Sequence, residues 1–165
     1  NMKRAIAISN ENFIVTNGTD EDLAQYFAIG NETMIISDDF DKLSQNDIYQ
    51  IMCAGRKEEY EKILQGTKNA QVAAWWDKAV DIIPANGGKG NAVNAVLKYY
   101  GFSKEEAIAF GDGQNDIEML EAVGTGVAMG NAKYEVKERA DVVCKSVEED
   151  GVYYYCLENK LITEI

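Results

Sequence analysis

Asp112, Asn115 and Asp116 stand in the run Gly111-Asp112-Gly113-Gln114-Asn115-Asp116, two carboxylates and a carboxamide in one short stretch. Oxygen groups gathered this closely suit a hard cation. Mg²⁺ takes one or two carboxylates and keeps room for waters and a phosphate. The flanking elements must hold these groups in place. Residues 107–110 form an apolar run without polar alternation, the pattern of a strand buried on both faces of a parallel sheet. Gly111 and Gly113 then turn the chain sharply. An amphipathic helix over 114–123 follows, with Ile117, Met119, Leu120 and Val123 facing inward. The acidic loop is therefore expected at the carboxyl end of a central strand, where open α/β sheets place their ligands.

A lone Gly-Asp-Gly reads first as a solvated turn leading into a helix cap. The residues downstream change that reading. A second apolar strand, 126–129, ends in Gly130-Asn131-Ala132, and a third, 141–144, follows a helix. With these, the sequence resembles the haloacid dehalogenase superfamily, in its Cof-like phosphatase branch. The likeness rests on Lys89-Gly90, Phe110-Gly111-Asp112-Gly113-Gln114-Asn115-Asp116-Ile117-Glu118-Met119-Leu120, Gly126-Val127-Ala128-Met129-Gly130-Asn131-Ala132, Ala140-Asp141 and Glu149-Asp150-Gly151-Val152. It runs without a gap from about residue 80 to residue 157.

The resemblance implies an α/β fold. Residues 84–165 would form the C-terminal half of a Rossmann-like core, and residues 1–83 a small α+β cap domain. It also implies Mg²⁺-dependent hydrolysis of a small phosphorylated substrate, usually a sugar phosphate, through an aspartyl-phosphate. Lys89 would steady the nucleophile and the phosphate charge, as a catalytic and substrate-binding residue. Asp112 would be the best metal ligand. Asp116 would assist at the metal and act catalytically by orienting Lys89 or a metal-bound water. Asn115 would contact the phosphoryl group or shape the loop. A carboxylate can attack an anionic phosphate only where a cation and a lysine offset the repulsion.

The family's nucleophile segment, Asp-x-Asp-Gly-Thr, does not occur in this sequence. Asp39-Phe40-Asp41 has the aspartate spacing, but Lys42-Leu43 follows, and it reads as a solvated loop. Ser9 and Glu11 follow the strand-like residues 4–8 where two aspartates would stand; Ser9 has no base at hand, so such a motif would be disabled. The simpler reading puts this hairpin at the edge of the cap and the first core half outside this chain. A different class of reading is an inactive truncated paralogue acting as a binding or assembly module. In either case strand 107–110 would lack its usual neighbour and expose an apolar edge. Its expected cover is a second copy of the chain, the strand at residues 4–8, or the missing half supplied in trans.

Elsewhere the chain reads in order as follows. Residues 4–8 and 13–16 form a hairpin, and Thr19-Asp20-Glu21-Asp22 starts a helix with a hydroxyl cap and an acidic first turn. Strands are expected at 34–37, 47–53, 70–76 and 79–83, with a charged helix at 56–65. Trp75 and Trp76, adjacent in a strand, would face opposite sides. Past the Pro84 to Gly88 loop come helices over 90–100, 114–123, 133–139 and 148–159, alternating with strands as in a parallel layer.

The bulk chemistry excludes several classes. A net charge of −12, with no basic patch, argues against a nucleic-acid or anionic-membrane partner. Histidine is absent, so no His triad, His–metal site or imidazole switch can form. Cys53, Cys144 and Cys156 are odd in number and set in apolar segments, as buried reduced thiols of a cytoplasmic protein would be. No apolar run reaches membrane-spanning length.

Overall fold

Apolar residues at every second position of short segments build the first of two sheets in this protein, whose computed structural model describes residues 4–164. The chain forms two units, Asn1–Asn86 and Gly87–Ile165. In the first, β1 (Ile6–Ser9) and β2 (Ile14–Thr16) form a hairpin, with Ser9 opposite Ile14. The carboxamide of Asn10 closes the turn by accepting from the N–H groups of Asn12 at 2.9 Å and Phe13 at 3.3 Å. Helix α1 (Glu21–Ile29) and one helical turn, α2 (Phe40–Leu43), lead to β3 (Gln50–Ala54). A second single turn, α3 (Tyr60–Ile63), precedes β4 (Ala70–Ala73) and β5 (Ala79–Pro84). The sheet is antiparallel in the order β2-β1-β3-β5-β4.

Strand alternation divides the first unit's core. Ala7 and Met52 face α1, whose Leu23, Tyr26 and Phe27 are buried against them. Ile8 faces the other way and packs with Val15 and Phe40. Helix α1 starts where the carboxylate of Asp20 accepts from the N–H of Leu23 at 2.7 Å. The cap is thus a carboxylate and not the hydroxyl of Thr19; it places an acidic side chain at the positive end of the helix.

Several sequence expectations fail here for identifiable reasons. Residues 34–37 make only a single parallel bridge, Ile36 to Thr16, because the one partner offered is the outer edge of the three-residue β2. The charged helix at 56–65 is reduced to a 3₁₀ turn at Lys57–Glu59 and to α3, and Gly66, at φ 87°, lies beyond it. Strand β4 stops at Ala73, so Trp75 and Trp76 lie in the connection to β5 and both pack on the α1 side. Strand β1 is interior, paired to β2 and β3; the edges of the sheet are β2 and β4. It therefore has no free side to offer residues 107–110. Phe40 is buried and opens α2, so Asp39-Phe40-Asp41 is not a wholly solvated loop.

The second unit alternates helix and strand. Helix α4 (Lys89–Tyr100) leads to β6 (Ile108–Gly111), then α5 (Ile117–Glu121), β7 (Thr125–Ala128), α6 (Tyr134–Lys137), β8 (Val142–Val143) and α7 (Gly151–Glu158). Strands β6, β7 and β8 are parallel in that order. Ala109, Ala128, Leu120, Val123, Ala132 and Val136 form one core cluster. The other face of β6 is less covered: Phe110 meets Tyr155 of α7 edge-on at 5.4 Å, and Ile108 is 38% exposed. One face of β6, Ala109 and Gly111, is buried, while the other, Ile108 and Phe110, is not, so the expectation of a strand buried on both faces holds for one face only. Helix α4 spans all of its expected residues, whereas α5, α6 and α7 are shorter than expected; a 3₁₀ turn, Gln114–Asp116, precedes α5, and Asp150, at φ 55°, breaks the chain just before α7. The cysteines are free thiols; Cys53 is buried, while Cys144 and Cys156 are partly exposed, contrary to the reading of all three as buried. Among the described residues no helix is long and apolar enough to cross a membrane.

Candidate active site

The register of the parallel sheet sets the site. Gly111 lies opposite Ala128, and the N–H of Met129 donates to the carbonyl of Gly111 at 2.9 Å. The chain segments leaving β6 and β7 therefore emerge side by side at the carboxyl ends of their strands. The first carries Asp112, Asn115 and Asp116; the second carries Gly130, Asn131 and Ala132.

Asp116 is the buried centre of the loop, 5% exposed. Its Oδ2 accepts from the N–H groups of Asp112 at 3.0 Å and Gly113 at 2.9 Å. Its Oδ1 accepts from Nζ of Lys89. A buried carboxylate with three donors is satisfied, and each charge-assisted bond is stronger than its neutral equivalent. The approach is close: a Cβ on Gly111 would stand 2.6 Å from Cβ of Asp116. Lys89 is half in solvent, with its side chain 50% exposed, so one face of the ammonium remains open.

Lys89 reaches Asp116 because α4 packs tightly on α5. Gly90, the second residue of α4, is buried, and a Cβ there would lie 2.7 Å from the carbonyl oxygen of Glu118. No other residue type allows the first turn of α4 to come so near that carbonyl.

Asp112 is exposed. Its Oδ2 accepts from Nδ2 of Asn131 at 2.8 Å, and among the described residues its Oδ1 has no protein donor. Asn131 in turn accepts from the N–H of Val147 at 3.0 Å, so one carboxamide ties together the segments that follow β6, β7 and β8. Lys137 holds Gly130 in place by donating to its carbonyl at 2.7 Å. Asn115 folds over Gly113, where a Cβ would meet its Oδ1 at 2.5 Å; its side chain makes no hydrogen bond among the described residues.

The structure thus brings Lys89 and Asp116 into direct contact and places Asp112 and Asn115 on the same loop. Of the two carboxylates assigned to a metal from sequence, only Asp112 keeps an oxygen without a protein donor. Asp116 spends both oxygens on Lys89 and the loop amides. Asn131 was assigned no role by sequence reasoning, although it ends an apolar strand in Gly-Asn-Ala; only the pairing of β6 with β7 shows that it reaches Asp112. Among the described residues there is no group of three or more His, Cys, Asp or Glu that could hold a metal. One open carboxylate oxygen suits Mg²⁺ chemically, as part of a shell completed by waters and phosphate oxygens. Ser9 and Glu11 belong to the hairpin of the first unit, where the hydroxyl-bearing Ser9 is buried, and no carboxylate base accompanies it in the hydrogen-bond network of the described residues.

A family model for haloacid dehalogenase-like hydrolases matches residues 1–156. Pyridoxal phosphate phosphatase YbhA of Escherichia coli (strain K12) is 39% identical over 111 residues, covering 67% of this chain and 38% of that protein. 5-Amino-6-(5-phospho-D-ribitylamino)uracil phosphatase YitU of Bacillus subtilis (strain 168) is 33% identical over 147 residues, covering 84% of this chain and 54% of that protein. The solved HAD subclass IIB sugar phosphatase BT4131 superposes with a TM-score of 0.85 at 26% identity, over 96% of this chain and 62% of that one. The chain spans about half the length of these curated relatives.

Proposed function

This chain belongs to the haloacid dehalogenase-like hydrolases, and from that premise we propose that it supplies the lysine and the metal-binding loop of a Mg²⁺-dependent phosphatase for a small phosphomonoester. A sugar phosphate is the favoured substrate class, by likeness to BT4131. The observation that carries the proposal is the buried Asp116, which holds the ammonium of Lys89 on one oxygen and the backbone of the Asp112 loop on the other.

In this reading Asp116 is a positioning residue. It keeps Lys89 aimed, and it fixes the turn that presents Asp112. The open face of the Lys89 ammonium binds phosphoryl oxygen. Asp112 offers its free oxygen to Mg²⁺, while Asn131 prevents the carboxylate from rotating away. Bound there, Mg²⁺ would offset the negative charge of the phosphoryl oxygens. Asn115 lies where it can donate to the substrate. On a chain of net charge −12, such local help is a requirement for binding an anion.

The nucleophilic carboxylate is not among these residues. The sequence holds no Asp-x-Asp-Gly-Thr, so the chain by itself is expected to leave an aryl phosphate unhydrolysed. Calorimetry should find Mg²⁺ binding to the chain only on the order of millimolar, lost in Asp112→Asn. Orthophosphate binding in the presence of Mg²⁺ should weaken about tenfold in Lys89→Ala, the loss of one charge-assisted contact. Mg²⁺-dependent turnover by the chain alone, abolished in Asp112→Ala, would reveal a nucleophile within it. Orthophosphate binding that ignores both substitutions would remove the site from phosphate chemistry and favour an inactive binding module.

A further inference from the structure

The first unit contains a cavity that the phosphatase reading does not use. It has a volume of about 250 Å³ and lies between α1 and the sheet. Its walls include Tyr26, Phe27 and Trp75, its polar groups are Ser9 and Gln50, and Glu32 is at its exposed side. No lysine or arginine lines it.

Two features distinguish this cavity from a packing gap. Ser9 is 8% exposed, and its hydroxyl has no hydrogen-bond partner among the described residues. Every fully enclosed side-chain nitrogen or oxygen described does have one, so the Ser9 hydroxyl opens on the cavity it lines. An accessible hydroxyl without a protein partner is free to bond to whatever occupies the cavity, water or a ligand group. The aromatic groups are also fixed in place. Trp75 donates from Nε1 to the hydroxyl of Tyr26 at 3.2 Å, and that hydroxyl donates to Oδ1 of Asp81 at 2.6 Å. The two rings sit 5.0 Å apart with an interplanar angle of 42°. Tyr26 thus uses its O–H on Asp81 and leaves its ring to the cavity.

The electrostatics select the sign of a ligand. Burial first, then the charge of Asp81 and the hydrogen bond to it, push the Tyr26 phenol well above its ordinary range, and the charge of Glu32 adds to the rise. The cavity thus has one carboxylate, Glu32, in its lining beside the rings of Tyr26, Phe27 and Trp75. The adjoining Trp76 already takes a cation, with Nζ of Lys78 at 5.6 Å from its ring centroid. Aromatic walls, a carboxylate at the mouth and no basic residue are the means by which proteins bind organic ammonium ions. Pockets for drug-sized ligands run from roughly 300 Å³ upward, so the occupant here is smaller.

We infer that this cavity binds a small organic ammonium ion bearing a hydroxyl or N–H group, with the cation held by Glu32 and the aromatic rings and the hydrogen-bonding group held by Ser9. The site lies wholly in the first unit and does not depend on the phosphatase reading.

Choline is a suitable probe, titrated into the whole chain against sodium chloride of equal ionic strength, with tryptophan fluorescence and calorimetry as readouts. A saturable fluorescence change with choline, absent with the salt, is the expected result. Glu32→Gln changes an exposed residue and leaves the fold intact; it should weaken choline binding about tenfold. The uncharged isostere 3,3-dimethylbutan-1-ol should bind the unaltered chain about tenfold more weakly than choline. Tetramethylammonium, which lacks the hydroxyl, should bind more weakly than choline, and Ser9→Ala should erase that difference. A choline response no larger than that of the salt overturns the inference. So does equal affinity for choline and its uncharged isostere.

Discussion

The two units of this chain place buried carboxylates to opposite ends. In the first, Asp81 is 7% exposed and receives the hydroxyl of Tyr26, which itself receives the indole of Trp75. That network lies within the packing of α1 on the sheet. In the second, Asp116 is 5% exposed, yet its donors are the ammonium of a half-exposed lysine and the backbone of a surface loop. One carboxylate stabilises an interior; the other carries order outward to groups that face solvent. The difference follows from the sheets. An antiparallel sheet with a helix on one face buries side chains from strand middles, whereas a parallel sheet gathers loops at its carboxyl end, where a buried acid can reach the surface.

The largest expected effect comes from cutting that outward link. Asp116→Ala strands the N–H groups of Asp112 and Gly113 and should cost about 3 kcal/mol, counting two bonds to a charged acceptor and little for Lys89, whose partner charge is screened by solvent. Both tryptophans lie in the first unit, so their fluorescence transition in urea should stay in place while far-UV circular dichroism reports earlier loss of the second unit. A tryptophan transition that shifts by the same amount would mean that the two units do not separate in this way.

Gly90→Val attacks the helix contact that delivers Lys89. Its Cβ would stand 2.7 Å from a backbone oxygen that cannot rotate aside, and overpacking of this kind costs about 2 kcal/mol. Orthophosphate binding should fall with it, because Lys89 moves with the first turn of α4. Unchanged stability and binding would show that α4 can slide on α5 without loss.

In the first unit the corresponding probe is Tyr26→Phe, expected to cost about 1–2 kcal/mol through the lost bond to Asp81 and to alter Trp75 emission. The same residue sets a pH dependence. Burial and Asp81 raise the folded phenol above its ordinary value, and burial likewise raises the Cys53 thiol. A raised folded value means that the unfolded chain releases the proton first as pH rises. The stability is complete below the ordinary thiol and phenol range, about pH 8.5 to 10, and is lost as pH climbs through and above it. Alkaline denaturation followed by tryptophan fluorescence should show this loss, smaller in Tyr26→Phe. A first unit whose stability is flat to pH 11 would contradict the inward role of this network.

The smallest effect concerns β6, which pairs with β7 on one side and, among the described residues, with no strand on the other. An apolar parallel strand with a free edge tends to recruit another. Weak, concentration-dependent association should appear in sedimentation at tens to hundreds of micromolar, roughly the range of edge pairing. Introducing a charge with Ile108→Lys should suppress it. A strict monomer at those concentrations would leave this edge no less protected than those of the first sheet.

The sequence by itself determined the parallel layer after Pro84, the acidic loop and its position past an apolar strand, because glycine turns, apolar runs and helix periodicity are local properties. It was enough to single out Lys89, Asp112, Asn115 and Asp116 through a family likeness. Tertiary structure decided how those residues divide the work. That Asp116 is consumed by Lys89 and two amides while Asp112 stays open depends on the packing of Gly90 against Glu118, a contact between separate helices. That Asn131 reaches Asp112 depends on the register of β6 against β7. The same holds in the first unit, where propensity suggested a strand at residues 34–37 and one through Trp76. A strand persists only where a partner edge is available, and the three-residue β2 offered residues 34–37 too little of its own. The partnerless hydroxyl of Ser9, in the same way, became visible only once α1 had closed over the sheet and left a cavity beside it.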